Sequence, residues 1–304
     1  MPELPEVETI KLGLQKYLVG KKIEDVEIRL RRIFSEDEKN VIGAKIVSVD
    51  RFGKGLVINL NNGYSIAAHI KLTGQFIYRD QTTSKFKLSP KVGLTLPNKF
   101  THVTFKLSGD ARSTSHSTVS SDRIGSGPSA YLYYNDIRQF GWLKVLKTKD
   151  LKTIPFFKDL GPEPLPSSGQ SALTFDMFKN IVSKSNVVIK PLIIDQKKIG
   201  GIGNIYANDA LFDARIDPRK KAKKLSNEEI KKLYNSILKV LKIGLKNGGA
   251  SELNYVNVLG QEGKYQHHFL VYGQDGKPCS YCKTIMKKIT LGGRGTYYCP
   301  VCQK

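Results

Sequence analysis

The sequence predicts an α+β multidomain fold: an N-terminal β-sandwich with a leading helix, a helical domain after it, and a small metal-held module at the C-terminus. Three observations carry this. Short β-rich runs broken by turn signals fill most of residues 1–148, the hydrophobic period turns helical beyond a proline-rich stretch, and all four cysteines fall within the last 26 residues. We place the boundaries at 1–148, a linker over 149–170, the helical domain over 171–262 and the cysteine module over 263–304. A chain of 304 residues, 40% of them hydrophobic, supplies enough apolar side chains for more than one core.

In chain order, Val7, Ile10, Leu14, Tyr17 and Leu18 recur at helical spacing, so a helix is predicted from Glu6 to Val19, ending at Gly20. Strands follow over Lys22–Leu30, Ala44–Phe52, Leu56–Leu60, Tyr64–Ile70, Gln75–Tyr78, His102–Leu107, Tyr131–Tyr134 and Trp142–Leu146, punctuated by turns such as Asn61-Asn62-Gly63. Eight short strands read as a sandwich or a barrel-like sheet. Between Ser108 and Ser129 the composition shifts to Ser, Gly, Asp and Thr, which predicts a solvated loop. Pro155, Pro162, Pro164 and Pro166 stiffen the linker. Beyond it, Ser226 and Glu229 form a capping box. Ile230, Leu233, Ile237, Leu241 and Leu245 then share one helix face until Gly248-Gly249.

Lysine and arginine total 49 against 27 acidic residues, a formal charge of +22, which is self-repulsive in a compact fold and calls for a polyanionic partner. The excess is spread along the chain: residues 1–148 carry 23 basic and 14 acidic side chains, and 149–304 carry 26 and 13. Both halves should face the polyanion, with salt-sensitive binding. Charge alone also fits a ribosomal or membrane-surface protein. No 18-residue apolar run is present, and the start MPELPEVETI is acidic where a secretory signal is basic and then apolar. A reducing compartment that contains nucleic acid is expected, namely the cytoplasm with its nucleoid.

Cys279-Ser-Tyr-Cys282 and Cys299-Pro-Val-Cys302 are two C-x2-C knuckles with 16 residues between the inner pair, the pattern of a tetrahedral Zn2+ site. A rubredoxin-like iron site shares this spacing. His267 and His268 are nearby but superfluous to a four-thiolate set. The strand-like Thr296-Tyr297-Tyr298 suits a β-hairpin, and Gly292-Gly293-Arg294-Gly295 sets one arginine on a turn stripped of bulk, where its fork suits a phosphate or simply water.

At the other end, Pro2 is a small second residue that permits removal of Met1, leaving a secondary amine as the chain end. An α-amino group titrates well below lysine, so a fraction is unprotonated at neutral pH and adds to carbonyl carbons. Glu3 and Glu6 could move protons there, or could simply complement the dipole of the first helix.

Pro2-Glu3-Leu4-Pro5-Glu6-Val7-Glu8-Thr9 resembles the N-terminal signature of the bacterial formamidopyrimidine-DNA glycosylases, and the similarity runs through nearly the whole chain. It continues in Arg51-Phe-Gly-Lys54-Gly-Leu56, His69-Ile-Lys-Leu72-Thr-Gly74, Asp136-Ile-Arg138-Gln-Phe140-Gly141, Gly161-Pro-Glu-Pro-Leu165 and Gly200-Gly-Ile-Gly-Asn204-Ile-Tyr-Ala207. The resemblance implies a monomeric base-excision-repair enzyme acting on duplex DNA with oxidised purines or abasic sites. It would have a helix–two-turn–helix motif within the helical domain and one structural Zn2+ on Cys279, Cys282, Cys299 and Cys302.

By position, the resemblance makes Pro2 the nucleophile, Glu3 the acid that opens the sugar ring, and Glu6 a support for the N-terminal site. Lys54, Asn204 and Arg294 would grip phosphates, while Leu72, Arg138 and Phe140 would fill the gap left by an extruded base. Read without the resemblance, Leu72 and Phe140 are core residues. Leu72 stands where the family usually has methionine, and Ile137 and Gln139 replace a common proline and a second arginine. Segment 248–273 has the length of the family's lesion-recognition region, which favours oxidised purines over the pyrimidine preference of the endonuclease VIII branch. Two other readings share the charge and the finger: a zinc-finger protein that binds lesions without cutting, and an RNA-binding accessory protein.

Overall fold

The computed structural model describes residues 1–108, 129–167 and 170–304, so the loop expected between Ser108 and Ser129 lies, but for its end residues, outside the described residues. Helix α1 (Leu4–Leu18) begins two residues before the apolar spacing predicts. Pro5 suits a first helical turn, and Glu6 Oε2 accepts the Glu3 N–H at 2.7 Å; neither signal belongs to the hydrophobic period.

Among the described residues eight strands follow, each within a residue or two of its predicted place: β1 (Ile23–Ile28), β2 (Ile46–Phe52), β3 (Gly55–Leu60), β4 (Tyr64–His69), β5 (Gly74–Arg79), β6 (Thr101–Leu107), β7 (Ala130–Asp136) and β8 (Trp142–Lys147). They form two antiparallel sheets, ordered β1-β6-β7-β5 and β2-β3-β4-β8, which enclose one core containing Phe34, Phe76, Phe105 and Tyr134. Strands β3 and β4 are buried on both faces, because Phe156 and Phe157 of the short helix α2 (Pro155–Lys158) cover Val57 and Ala67 from outside. Helix α1 joins two cores. Val7, Ile10, Leu14 and Leu18 pack into the sandwich, an upper bound of roughly 6–12 kcal/mol of apolar burial, while Leu4 packs among the later helices.

The helical region holds α3 (Phe175–Ser183), α4 (Ile189–Ile194), α5 (Asn204–Asp213) and α6 (Asn227–Lys246). Helix α6 opens on the expected box: Ser226 Oγ accepts the Glu229 N–H at 3.2 Å and Glu229 Oε2 accepts the Ser226 N–H at 2.8 Å. After α6 the chain returns to the sandwich. Tyr78 of β5 donates its N–H to Val258 O at 2.7 Å, and Val258 fits against α1 only because position 13 is glycine, whose Cβ would lie 2.4 Å from it. The C-terminus is a hairpin of β9 (Lys287–Leu291) and β10 (Arg294–Tyr298), turned by Gly292 and Gly293 at positive φ. No helix of the described residues is long and apolar enough to cross a membrane.

Candidate active site

The N-terminus of α1 abuts the N-terminus of α5. The first turn of a helix leaves backbone N–H groups without partners and carries partial positive charge. The Glu3 carboxylate supplies what α5 lacks, accepting from Ile205 N at 2.8 Å and Tyr206 N at 3.4 Å. Gly203 makes the approach possible, since a Cβ there would stand 2.2 Å from Glu3 Cδ. Glu6 is equally enclosed: Oε1 accepts from Tyr206 Oη and Ala250 N, both at 2.7 Å, and Gly249 leaves the space. Burial first, and then the charge of Glu3, push the Glu6 carboxyl up to about 7, so it can hold or release a proton near neutrality.

A cavity of about 390 Å3 opens over these groups. Pro2, Glu3 and Glu6 of the N-terminus, Lys54 at the β2–β3 turn, Leu72, Asn204 at the start of α5 and Arg294 at the start of β10 all line it. The opposite wall is Glu252, Leu253, Asn254 and Tyr255. Lys54 is buried, and desolvation lowers its ammonium to about 8. The amine of Met1 is also lowered by burial, and Pro2 lies deeper than Met1. Asn204 donates to Gly295 O at 3.1 Å, and its buried Oδ1 has no protein partner.

Arg138 and Phe140 lie outside this cavity, on the loop after β7. Buried Asp136 shapes that loop, accepting from Thr73 Oγ1 and, at 2.7 Å, from Gly141 N. Phe140 is 56% exposed with the Arg138 guanidinium 4.9 Å above its ring, and Leu72 is half-buried, so neither apolar residue is a core residue.

In the finger, the sulfurs of Cys279, Cys282, Cys299 and Cys302 lie within 4.8 Å of one another. Cys282 and Cys299 are 3.4 Å apart and Cys279 and Cys302 are 3.9 Å apart, far beyond a disulfide at about 2.05 Å. They are close to the separation of about 3.8 Å across a tetrahedron with Zn–S near 2.3 Å. Four thiolates close the sphere of one structural Zn2+. His267 and His268 are not part of this group.

Profiles of known families match three parts of the chain: the Formamidopyrimidine-DNA glycosylase N-terminal domain over residues 1–143, the Formamidopyrimidine-DNA glycosylase H2TH domain over 160–254, and the Zinc finger found in FPG and IleRS over 276–304. A formamidopyrimidine-DNA glycosylase of Pelotomaculum thermopropionicum is 37% identical across 100% of this chain and 99% of its own. The chain belongs to the formamidopyrimidine-DNA glycosylase family. A relative of that name from Streptococcus mutans is 34% identical, with 100% of both chains covered. Among solved structures, the Lactococcus lactis Fpg in complex with abasic-site DNA superposes with a TM-score of 0.80 at 30% identity over 99% of each chain. The MutM (Fpg) protein of Thermus thermophilus gives 0.80 at 32% identity, covering 99% of this chain and 98% of its own.

Within this family member, several polar residues to which the sequence reading gave no role hold the site together. Lys190 of α4 is fully buried and donates to Gly295 O and Thr296 Oγ1, both at 2.7 Å, fixing the turn that carries Arg294. Desolvation, with the nearby Arg294 charge, lowers it to about 7. Asn208 Oδ1 accepts from Tyr297 N at 2.9 Å and so fastens β10 to α5. Buried Arg51 donates to Glu8, Glu163 and Leu165 O, joining α1 and the linker to the strand that leads to Lys54. Such groups carry no periodic signal; only their apparent isolation in apolar segments could have marked them.

Proposed function

We propose that the chain is a bifunctional DNA glycosylase and abasic-site lyase that excises oxidised purines, such as 8-oxoguanine and formamidopyrimidines, and nicks the strand. The observation that carries the reading is the convergence of the N-terminal amine position, two buried carboxylates and the cationic Lys54 and Arg294 in one cavity. With Met1 removed, the Pro2 nitrogen attacks C1′ of the damaged nucleotide as the glycosidic bond breaks and the base departs with a proton. Glu3 protonates the ring oxygen, the sugar opens, and nitrogen and C1′ become a cationic iminium. This electron sink acidifies C2′–H. Proton loss there expels the 3′ phosphate, a second elimination expels the 5′ phosphate, and water hydrolyses the iminium to release Pro2.

Lys54, Asn204 and Arg294 would hold the flanking phosphates. The half-buried Asn204 side chain at a helix N-terminus, beside the cations, suits an anion. Leu72, Phe140 and Arg138 would enter the space left by the extruded base, and their partial exposure supports that use. A mutant of the L. lactis relative has been captured with DNA containing Fapy-dG and the wild-type protein with DNA containing an oxidised pyrimidine, so duplexes of both lesion types belong in the assay. Pro2→Gly or Glu3→Gln should each abolish strand scission of an 8-oxoguanine duplex. Undiminished scission by both variants would remove Pro2 and Glu3 from the catalytic assignment, whereas no scission by the wild-type protein would leave a lesion-binding protein as the better reading.

A further inference from the structure

The cavity wall opposite Pro2 belongs to the segment after α6, yet its shape is set from the sandwich. Glu252 and Leu253 are its exposed pair, with Leu253 57% exposed at the cavity edge. The two carbonyls that bracket this pair are each held by a side chain from elsewhere. Lys91 Nζ donates to Ser251 O, and Gln75 Nε2 donates to Asn254 O at 2.7 Å. Neither fastener stands alone. Gln75 of β5 is buried and spends its second amide hydrogen on Lys91 O at 3.1 Å, so the two are coupled. Lys91 also pairs at 2.8 Å with Glu262, whose other oxygen accepts from Ser89 Oγ at 2.6 Å. The wall is thus pinned just before residue 252, just after residue 253, and again at its far end.

We propose that Lys91 and Gln75 are positioning residues for the base of the damaged nucleotide: they fix the 252–253 turn against which that base is held, and so set base recognition without touching substrate. This inference rests on the glycosylase reading of the cavity. A hydrogen bond from a charged donor to a carbonyl is among the stronger ones, and releasing it leaves the turn on neutral bonds such as Ser251 N–H to Gln266 Oε1 at 3.0 Å and Ser251 Oγ–H to Tyr255 O at 2.7 Å. The groups that would act on the sugar and phosphates, Pro2, Glu3, Lys54, Asn204 and Arg294, are held by α1, the β2–β3 turn, α5 and β10, none of which Lys91 or Gln75 contacts through these bonds. Loosening the wall should therefore impair substrates that carry a base and spare those that do not.

The test compares Lys91→Met, Lys91→Arg and Gln75→Leu with wild type on two duplexes, one with 8-oxoguanine and one with a preformed abasic site, in single-turnover reactions. Lys91→Met is expected to lower the single-turnover rate constant for base excision tenfold or more and that for abasic-site cleavage less than twofold, with Lys91→Arg recovering most of the loss. Glu262→Gln, which leaves Lys91 in place, should give a smaller loss of the same selectivity. Equal losses on both duplexes, or wild-type base excision by Lys91→Met, would overturn the proposal. Wild-type protein that cleaves neither duplex would instead overturn the glycosylase reading itself.

Discussion

Replacing Gly203 by alanine tests whether the α1–α5 junction exists to hold the Glu3 carboxylate. The backbone there is extended, with φ −129° and ψ −160°, a conformation open to alanine, so the substitution carries no backbone strain. Its whole effect comes from one methyl group 2.2 Å from Glu3 Cδ and 2.5 Å from Oε1, far inside van der Waals contact. The carboxylate must withdraw from α5. That loses a charge-assisted bond of 2.8 Å to Ile205 N, loses a weaker one to Tyr206 N, and leaves the helix N-terminus without its acceptor. At about 1.5–3 kcal/mol for a bond to a charged group, plus a fraction of that for the second, the cost is about 2–4 kcal/mol.

If the same displacement is felt in the transition state, abasic-site cleavage falls by roughly 30- to 900-fold. Single-turnover cleavage and a thermal melt measure the two consequences. A double-mutant cycle isolates the cause: in a Glu3→Ala background the methyl meets no carboxylate, so its stability cost should largely vanish. A Gly203→Ala enzyme that cleaves within threefold of wild type, or an undiminished cost in the Glu3→Ala background, would refute the reasoning.

Three further outcomes are expected. Glu6 is raised from 4.5 to about 7, so the folded protein keeps a proton that the unfolded chain gives up. The resulting stability is present below about pH 4.5 and is lost as pH rises through about 7, a change of roughly 3 kcal/mol that Glu6→Gln should remove from chemical denaturation curves measured between pH 5 and 8. Stripping the metal with a strong chelator, or introducing Cys299→Ser, should release the Arg294 turn and weaken lesion-duplex binding tenfold or more by fluorescence anisotropy; full affinity in the stripped protein would remove the finger from the interface. Phe140→Ala should leave stability within about 0.5 kcal/mol, because the ring is exposed, while costing about 1–3 kcal/mol of affinity for lesion duplex as stacking is lost; an unchanged Kd would return Phe140 to an ordinary surface role.

The strands were legible in the sequence because turn residues bound short β-rich runs: β2 and β8 alternate, with one face packed inward, while β3 and β4, buried on both faces, read as apolar runs. Helix α6 was legible because its capping box and apolar stripe coincide. Helix α5 was not: from Ile205 to Phe212 it is buried on every side, including Asn208 and Asp209, so no apolar face stands against a polar one. The site divides in the same way. Pro2, Glu3 and Glu6 by themselves read as a helix start, and the motifs rather than the pattern singled them out. Their meaning comes from Ile205, Tyr206 and Ala250, about 200 or more positions away in the chain. Lys190 gave no signal, and Gly203 and Gly249 read only as part of a glycine-rich motif and as a helix end, because burial and clearance depend on contacts between distant segments.

The central claim is that the Pro2 amine forms the covalent intermediate, and borohydride trapping tests it most directly. Wild-type protein freed of Met1 is incubated with a duplex carrying 8-oxoguanine opposite cytosine and, in parallel, an abasic-site duplex, each with borohydride, and the adduct is located by mass spectrometry. The account predicts a reduced adduct on Pro2 from both duplexes. An adduct on Lys54 or another lysine, or none from either duplex, would contradict it.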